Sequence, residues 1–249
     1  MKKSLPKDNM VFGTRAIMES INAGKEVDRL FIQKQLHNPL IKELIETAKS
    51  FGVPVSYVPI DKLNRITKKN HQGAIAFISA VQYASLDNII SETYQKGAEP
   101  FLLLLDRVTD IRNFGAIARS AECAGVQALI IPSRGGGAVN SDAMKTSAGA
   151  LNYISICRSN NLKETIQYLK SSGVSVIGCT EKTDDHIHDI DLTGPLCIIM
   201  GSEENGISAE YLKLCDNKGK IPMKGKVESL NVSVSAGIAL FEAVRQRGL

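Results

Sequence analysis

Three polar segments, each beside an apolar run of strand type, contain the residues best suited to chemistry in this sequence. They occupy residues 106–125, 198–208 and 221–247. In the first, Arg119 lies within an otherwise apolar helical stretch, where a guanidinium group requires an anionic partner. A carboxylate such as Glu122 or Glu203 would make it a structural ion pair, whereas a bound phosphate would make it a functional group. The shared composition of the three segments predicts one composite site.

The second and third segments also contain small or apolar residues at strand ends. Gly201, Ile221 and Leu230 lie at or just beyond such ends, where sheets of nucleotide-binding folds bind their ligands. Small residues with accessible backbone suit an adenine, although ordinary strand and turn positions would have the same composition. No GxGxxG pattern follows the first strand of this region, and GGG at residues 135–137 is too weak to replace it. This sequence therefore lacks the phosphate-binding glycines that a nicotinamide-dependent oxidoreductase would require.

Three motifs in these segments resemble those of the SpoU-type ribose methyltransferases of the SPOUT superfamily. They are NFGAIAR at residues 113–119, GSEENG at residues 201–206 and IPMKGKVESLNVSVS at residues 221–235. The chain most resembles the bacterial branch that methylates a guanosine ribose in 23S ribosomal RNA, and the resemblance covers nearly its whole length. It implies S-adenosylmethionine as the cofactor. It also implies an α/β-knot fold, in which a Rossmann-like parallel sheet ends in a C-terminal trefoil knot at about residues 196–249, an exception to the rule against threaded chains.

The resemblance also assigns roles to individual residues. The implied catalytic residues are Asn113, Arg119, Glu203, Ser229 and Asn231. The implied cofactor-binding residues are Cys179, Gly201, Ile221, Met223 and Leu230. The predicted RNA-binding residues are Arg65, Lys68, Lys69, His71 and Gln72 in the first third of the chain, together with Arg134, which is predicted from its position beside the glycines at residues 135–137 and not from the resemblance. Residues 68–77 (KKNHQGAIAF) resemble a family loop that we expect to face RNA, with plain surface as an equal alternative, and residues 135–137 are expected to form a flexible loop beside the RNA. No metal site is expected.

Arg119 has the central catalytic role in this resemblance, and its chemistry limits what that role is. An arginine pKa above about 12 leaves almost no neutral guanidine to act as a general base. We expect Arg119 to stabilise a developing alkoxide, or to hold a substrate phosphate that accepts the proton. Asn113 and Asn231 have a second interpretation as helix caps. Glu203 also has a second interpretation, as a carboxylate that is favourable near the N-terminus of a short helix.

The first third of the chain alternates helical and strand patterns. It predicts helices over residues 11–24 and 38–52, the second capped by Asn38, and a short basic helix or turn over residues 61–69. Strands are predicted over residues 27–33, 53–59 and 73–81. This pattern predicts a small α/β domain at residues 1–82, similar to the ribosomal-protein-like RNA-binding domain that precedes some SpoU enzymes.

The rest of the chain predicts a linker and a larger α/β domain. The polar residues 83–97 form the predicted linker, with a short helix after Ser85. Continuous apolar runs follow at residues 101–106, 126–132, 173–180 and 195–201, as expected for buried parallel strands. Helical stretches separate them, so a doubly wound parallel sheet is predicted over residues 98–249.

Composition limits the function classes. Residues 1–84 carry 13 Lys and Arg against 7 Asp and Glu, and the remainder carries 17 against 19, so the basic excess lies at the front. That asymmetry fits either a solvated surface or a domain that binds a polyanion. Five separated cysteines support neither a disulfide framework nor a zinc site and are expected to be reduced core residues. Without a signal-peptide pattern or a membrane-spanning run, a cytoplasmic protein is expected.

The resulting prediction is a cytoplasmic RNA ribose 2′-O-methyltransferase that acts on ribosomal RNA, with transfer RNA as the near alternative. The front domain favours ribosomal RNA, because related transfer-RNA enzymes commonly lack it. From the resemblance we also expect a homodimer formed through the knotted domain, with the small-residue helix at residues 232–247 in its interface. A non-catalytic RNA-binding factor for ribosome assembly is the competing class.

Overall fold

The computed structural model describes residues 10–137, 139–227 and 229–248. These residues divide into two compact units. Residues 10–82 and 139–142 form the first, and residues 83–137 and 143–248 form the second. Within the described residues, no helix combines the length and apolar character that crossing a bilayer requires.

The first unit is a four-stranded sheet with helices on both faces. Its elements are β1 (Met10–Phe12), α1 (Thr14–Asn22), β2 (Val27–Gln33), α2 (Pro39–Ser50), β3 (Val55–Val58), α3 (Ile60–Ile66) and β4 (Ala74–Ile78). The strand order is β1-β4-β2-β3. The side chain of Asn38 accepts a hydrogen bond from the Ile41 N–H, as predicted for a helix cap. Helices α1 and α2 share one apolar cluster with the sheet, and Leu63 of α3 packs on the opposite face.

The second unit is a six-stranded, fully parallel sheet. Its strands are β5 (Phe101–Leu105), β6 (Ala128–Pro132), β7 (Ser155–Ser159), β8 (Ser175–Cys179), β9 (Leu196–Met200) and β10 (Asn217–Gly219). Its helices are α4 (Leu86–Gln95), α5 (Ile111–Cys123), α6 (Ser141–Thr146, of which the first two residues belong to the first unit), α7 (Leu162–Ser171), α8 (Ala209–Leu212) and α9 (Val232–Gln246). The strand order is β10-β8-β9-β5-β6-β7. All five residues of β5 are buried, as expected for a central parallel strand.

Helices α5 and α9 pack against each other and bring the first and third motifs together. Helix α9 presents Ala236, Ala239 and Ala243 as buried residues, which permits close approach to its neighbours. A Cβ atom added at Gly237 would lie 3.8 Å from Ser120 Oγ, so this glycine faces α5 at ordinary contact distance. The small residues of α9 therefore serve packing within the chain.

The structure confirms the predicted α/β class with a parallel sheet, and the trefoil knot stays a prediction. Residues 83–97, predicted as a linker, contain α4, whose Ile90 is buried in the core of the second unit. Helix α5 begins at Ile111, two residues before Asn113, the first residue of the first motif. Strands β1, β7 and β10 have no counterpart among the predicted strands. Of the five cysteines, Cys123 is exposed, contrary to the expected core position.

Candidate active site

The first cavity lies at the carboxyl ends of the adjacent strands β8, β9 and β10 and has a volume of about 500 Å³. It is lined by residues of three segments that follow these strands. They are Cys179, Thr180, Glu181, Lys182, Met200, Gly201, Ser202, Glu203, Glu204, Asn205, Gly206, Lys220, Ile221, Met223, Ser229, Leu230, Val232 and Ser235. All five predicted cofactor-binding residues belong to this lining, together with Glu203 and Ser229 of the predicted catalytic set.

The second motif forms a closed loop in the wall of this cavity. The Gly206 N–H donates to the Ser202 carbonyl at 2.9 Å, and the Ser202 N–H donates to the Gly206 carbonyl at 3.2 Å. Gly206 has φ of 65°, a conformation that favours glycine. A Cβ atom added at Gly201 would lie 2.0 Å from the carbonyl carbon of Gly206, so the loop closes only over a glycine.

A buried carboxylate anchors the far end of this loop. Asp106, which follows β5, is 1% exposed. Its Oδ2 accepts hydrogen bonds from the backbone N–H and the hydroxyl of Ser208, each at 2.7 Å. Arg107 donates to both Asp106 oxygens, at 2.9 and 3.2 Å, and also to the Gly206 carbonyl at 3.3 Å. The end of β5 therefore fixes the loop of the second motif, a role that we did not predict.

Lys182 ties the opposite side of the cavity to the same loop. Its ammonium group donates to the Asn205 carbonyl at 3.0 Å. Nearby, burial and, as the smaller cause, the charge of Glu181 together raise the pKa of the Cys179 thiol to about 12. Cys179 is therefore a neutral lining group at physiological pH and does not act as a nucleophile.

The first and third motifs meet through a pair of asparagines. Asn231 Nδ2 donates to Asn113 Oδ1 at 3.1 Å, although the two residues are 118 positions apart. Asn231 also caps α9, because its Oδ1 accepts a hydrogen bond from the Ser233 N–H at 2.9 Å. This confirms the predicted cap at Asn231. The alternative interpretation of Asn113 as a cap is wrong, because Asp110 caps α5 by accepting from the Arg112 and Asn113 N–H groups.

Two other predicted catalytic residues lie differently from expectation. Arg119 is exposed on α5 and is absent from the cavity linings, and its guanidinium forms no ion pair with the residues that the structure describes. The alternative ion pairs with Glu122 or Glu203 are therefore not formed in this chain. Glu203 is exposed in the closed loop, whereas the short helix α8 begins only at Ala209. A helix N-terminus therefore does not explain the position of Glu203.

A second cavity of about 360 Å³ lies at the carboxyl ends of β5 and β9. Its lining comprises Arg107, Val108, Thr109, Asp110, Gly135, Ser202, Glu203, Glu204 and Asn205. Residues 202–205 therefore line both cavities. The predicted flexible loop at residues 135–137 is packed here, since the Gly137 N–H donates to the Val108 carbonyl at 2.9 Å. Arg134 itself is exposed.

The predicted RNA-binding loop of the first unit is mostly exposed, with one exception. Arg65, in the last turn of α3, and Lys68 and Lys69, which follow that helix, are exposed. His71 is 8% exposed, and its two ring nitrogens contact Asn64 Oδ1 at 3.1 Å and the Gly73 N–H at 3.0 Å. Its expected outward orientation is therefore wrong, because both nitrogens serve to hold the loop.

Gln72 has an exposed position but a structural contact. Its side-chain oxygen accepts a hydrogen bond from the Thr14 N–H at 3.3 Å. Lysines beside this loop also lie over aromatic rings, with Lys62 at 4.6 Å from the Phe31 centroid and Lys69 at 5.5 Å from the Phe12 centroid. This cationic and aromatic face was not predicted, since the rings come from different strands.

Comparisons with known proteins match both units of the chain to one family of enzymes. Residues 100–241 match the model of the SpoU rRNA Methylase family, and residues 10–84 match the model described as RNA 2′-O ribose methyltransferase substrate binding. The chain is 33% identical over 237 residues to YacO of Bacillus subtilis, named as a TrmH-family tRNA/rRNA methyltransferase, with 95% of each chain covered. It is 35% identical over 239 residues to the 23S rRNA (guanosine-2′-O-)-methyltransferase RlmB of Pseudomonas aeruginosa, with 95% of this chain and 96% of the relative covered.

The solved structures include a similar fold with a ligand. The SpoU methyltransferase AviRb from Streptomyces viridochromogenes, crystallised with AdoMet, has a TM-score of 0.60 and 26% identity. The alignment covers 95% of this chain and 89% of AviRb.

Proposed function

The chain belongs to the SpoU rRNA methylase family, and we propose that it transfers the methyl group of S-adenosylmethionine to a ribose 2′-hydroxyl of RNA, most specifically a guanosine of 23S ribosomal RNA. The observation that carries the proposal is the first cavity, in which the second and third motifs meet. The match of residues 10–84 to a substrate-binding model supports RNA as the substrate. The relative RlmB supports guanosine in ribosomal RNA, while YacO, which is named for both tRNA and rRNA, leaves transfer RNA as the second candidate.

The residues of the first cavity fit the proposed cofactor. Its volume falls within the range of small-molecule sites, roughly 300–1,000 Å³. Met223 and Leu230 present partly exposed apolar side chains for an adenine, and the glycine at 201 lets backbone form the wall. Lys182 and Lys220 supply cations for a carboxylate in the same cavity. The AdoMet complex of AviRb supports this assignment.

The proposed reaction requires this chain's residues to position the substrate hydroxyl and to assist the loss of its proton. S-adenosylmethionine supplies a methyl group on a cationic sulfur, so that a C–O bond to the ribose forms as the C–S bond breaks. The chain must position the 2′-hydroxyl about 3 Å from that carbon and assist loss of its proton. The proposed positioning groups are Glu203, which lines the first cavity, and the Asn113–Asn231 pair, whose Asn231 lies between the lining residues Leu230 and Val232 in the sequence. Arg119 is proposed to stabilise the developing negative charge or to hold the phosphate that accepts the proton.

We assign Arg119 to a site shared between two copies of the chain. Arg119 is exposed on α5, and the neighbouring α9 has three exposed apolar residues, Val234, Ile238 and Phe241, at helical spacing. A C2 dimer would cover this stripe and bring Arg119 close to the partner's cavity. Light scattering should therefore give a dimer mass for wild type and a monomer mass for Phe241→Glu. Phe51→Glu, at an exposed site of the first unit, is the matched control.

Methyl transfer from tritiated S-adenosylmethionine to separate pools of large-subunit ribosomal RNA and transfer RNA tests the proposed reaction. Label in ribosomal RNA supports the full proposal. Label confined to transfer RNA would make transfer RNA the substrate instead of ribosomal RNA. If calorimetry detects cofactor binding but neither pool is labelled, the non-catalytic RNA-binding factor becomes the better explanation. We propose the cytoplasm as the location, in accordance with an RNA substrate.

A further inference from the structure

We propose that the second cavity receives the base of the acceptor nucleotide and reads a guanine through Arg107 and Glu204. This inference rests on the proposed function, because it assigns a place to the nucleotide that the reaction methylates. Arg107 and Glu204 are not among the catalytic or cofactor-binding residues that the sequence predicts.

The position of the second cavity matches such a role. In the sheet order, the chain runs from β5 outward through β6 and β7, and then continues on the opposite side with β8, β9 and β10. The boundary between β5 and β9 is therefore a topological switch point, where parallel sheets characteristically bind ligands. Residues 202–205 separate this cavity from the first one and line both. A base in the second cavity would therefore place its ribose next to the cofactor cavity.

Arg107 is a preorganised hydrogen-bond donor in this cavity. Its Nε and Nη2 groups are engaged by Asp106 and by the Gly206 carbonyl. Within the described residues, no hydrogen bond uses its Nη1 atom, and the side chain is 42% exposed. The backbone has φ of 58°, which is unusual for a non-glycine residue. The guanidinium is thus held on one edge and free to donate on the other.

The carboxylates of the cavity determine which ligand matches that donor. Asp110 is engaged as the cap of α5. Glu204 is exposed, and its carboxylate has no hydrogen bond or ion pair in the part of the chain that the structure describes. A phosphate would meet repulsion from Glu203 and Glu204 as well as attraction from Arg107. A neutral ligand with both an acceptor and a donor therefore fits better than an anion.

Guanine has this combination on its Watson–Crick edge, which RNA-binding proteins read in unpaired nucleotides. Its O6 accepts a hydrogen bond, as Arg107 requires, and its N1–H and N2–H groups donate, as Glu204 requires. Adenine presents a donor and an acceptor in the reverse order. Uracil offers a carbonyl acceptor beside an N–H donor, as guanine does, but it lacks the amino group that gives guanine a second donor.

Nucleoside analysis of the methylated RNA tests the inference separately from the reaction. Wild-type enzyme, tritiated S-adenosylmethionine and total RNA are incubated, and the RNA is digested to nucleosides. We expect the label in 2′-O-methylguanosine. Label in the 2′-O-methyl derivative of uridine, adenosine or cytidine overturns the guanine assignment while the proposed reaction stands. Absence of label in every nucleoside refutes the reaction itself, and the inference falls with it.

Variants then test the two residues on a transcript that carries the mapped guanosine or an adenosine in its place. The readout is the ratio of kcat/KM for the two transcripts, which a purely structural defect would leave unchanged. Glu204→Gln and Arg107→Gln should each lower this ratio about 10- to 100-fold, as expected for loss of a base-reading contact. Glu92→Gln, on the exposed surface of α4, is the matched control. A wild-type ratio in both cavity variants overturns the assignment.

Discussion

Substitution of Gly201 by alanine is the sharpest test of the closed loop in the cofactor cavity. The added Cβ would lie 2.0 Å from the Gly206 carbonyl carbon and 2.1 Å from the Ile207 nitrogen, whereas ordinary contacts begin at 3.4 Å. The loop must therefore retreat by about 1.4 Å, the difference between 3.4 and 2.0 Å. Both obstructing atoms belong to backbone, so rotation of a side chain cannot relieve the contact.

The expected energetic effect follows from the cost of overpacking. Extra methyl groups in packed regions cost about 1–3 kcal/mol, and a backbone obstruction favours the upper end. If the loop must return to its wild-type position to bind the cofactor, about 3 kcal/mol corresponds to roughly a 100-fold weaker affinity. Isothermal titration calorimetry with S-adenosylmethionine measures this change directly.

Gly225→Ala provides the matched control for the same measurement. Gly225 lies in the third motif, and a Cβ atom there would meet no atom within 4 Å. We expect this variant to bind S-adenosylmethionine with nearly wild-type affinity. Unchanged affinity in Gly201→Ala, with a cooperative unfolding transition like that of wild type, would refute the role of the closed loop.

Three further predictions concern other parts of the second unit. Arg119→Lys keeps the charge but loses the planar fork, so methyl transfer should fall about 100-fold or more while cofactor affinity stays unchanged, and near-normal turnover would contradict its role. Asp106→Asn weakens the hydrogen bonds to Ser208 and should reduce the free energy of unfolding by about 2 kcal/mol in urea titrations; an unchanged midpoint would count against the anchor. The hydrogen bond from Arg245, together with a weaker one from Gln246 and the nearby positive charge, lowers the pKa of the Glu242 carboxyl from 4.5 to about 2. A depressed folded-state pKa contributes stability that is present above the unfolded value and lost as pH falls through the folded one. Glu242→Gln should therefore lose stability at about pH 6 and show a weaker decline between pH 4.5 and 2 in urea titrations, and an unaltered pH profile would exclude this contribution.

The strands that the sequence predicts in the second unit are those with continuous apolar runs. The pattern FLLLL identifies β5 because a central parallel strand is buried on both faces. Strand β10, by contrast, has the sequence NKG and lies at the sheet edge, where no apolar pattern is required. Its pairing with β8 depends on tertiary contacts and is invisible in local sequence.

In the candidate site, too, some residues could be predicted from the sequence, whereas those that depend on distant contacts could not. Motif residues such as Gly201 and Leu230 were predicted from resemblance, and they line the first cavity. The role of Asp106 was not predicted, because its bonds to Ser208 join residues 102 positions apart. The buried ring of His71 could not be inferred from a basic, polar loop, since its partner Asn64 lies on the preceding helix α3.

Mapping the methylated atom shows whether this protein modifies the ribose 2′-oxygen. RNA labelled with tritiated S-adenosylmethionine by the purified protein is hydrolysed in alkali, which cleaves every linkage except those next to a 2′-O-methylated ribose. We expect label in one alkali-resistant dinucleotide of large-subunit ribosomal RNA. Label that is released entirely in mononucleotides would place the methyl group on a base and contradict ribose methylation.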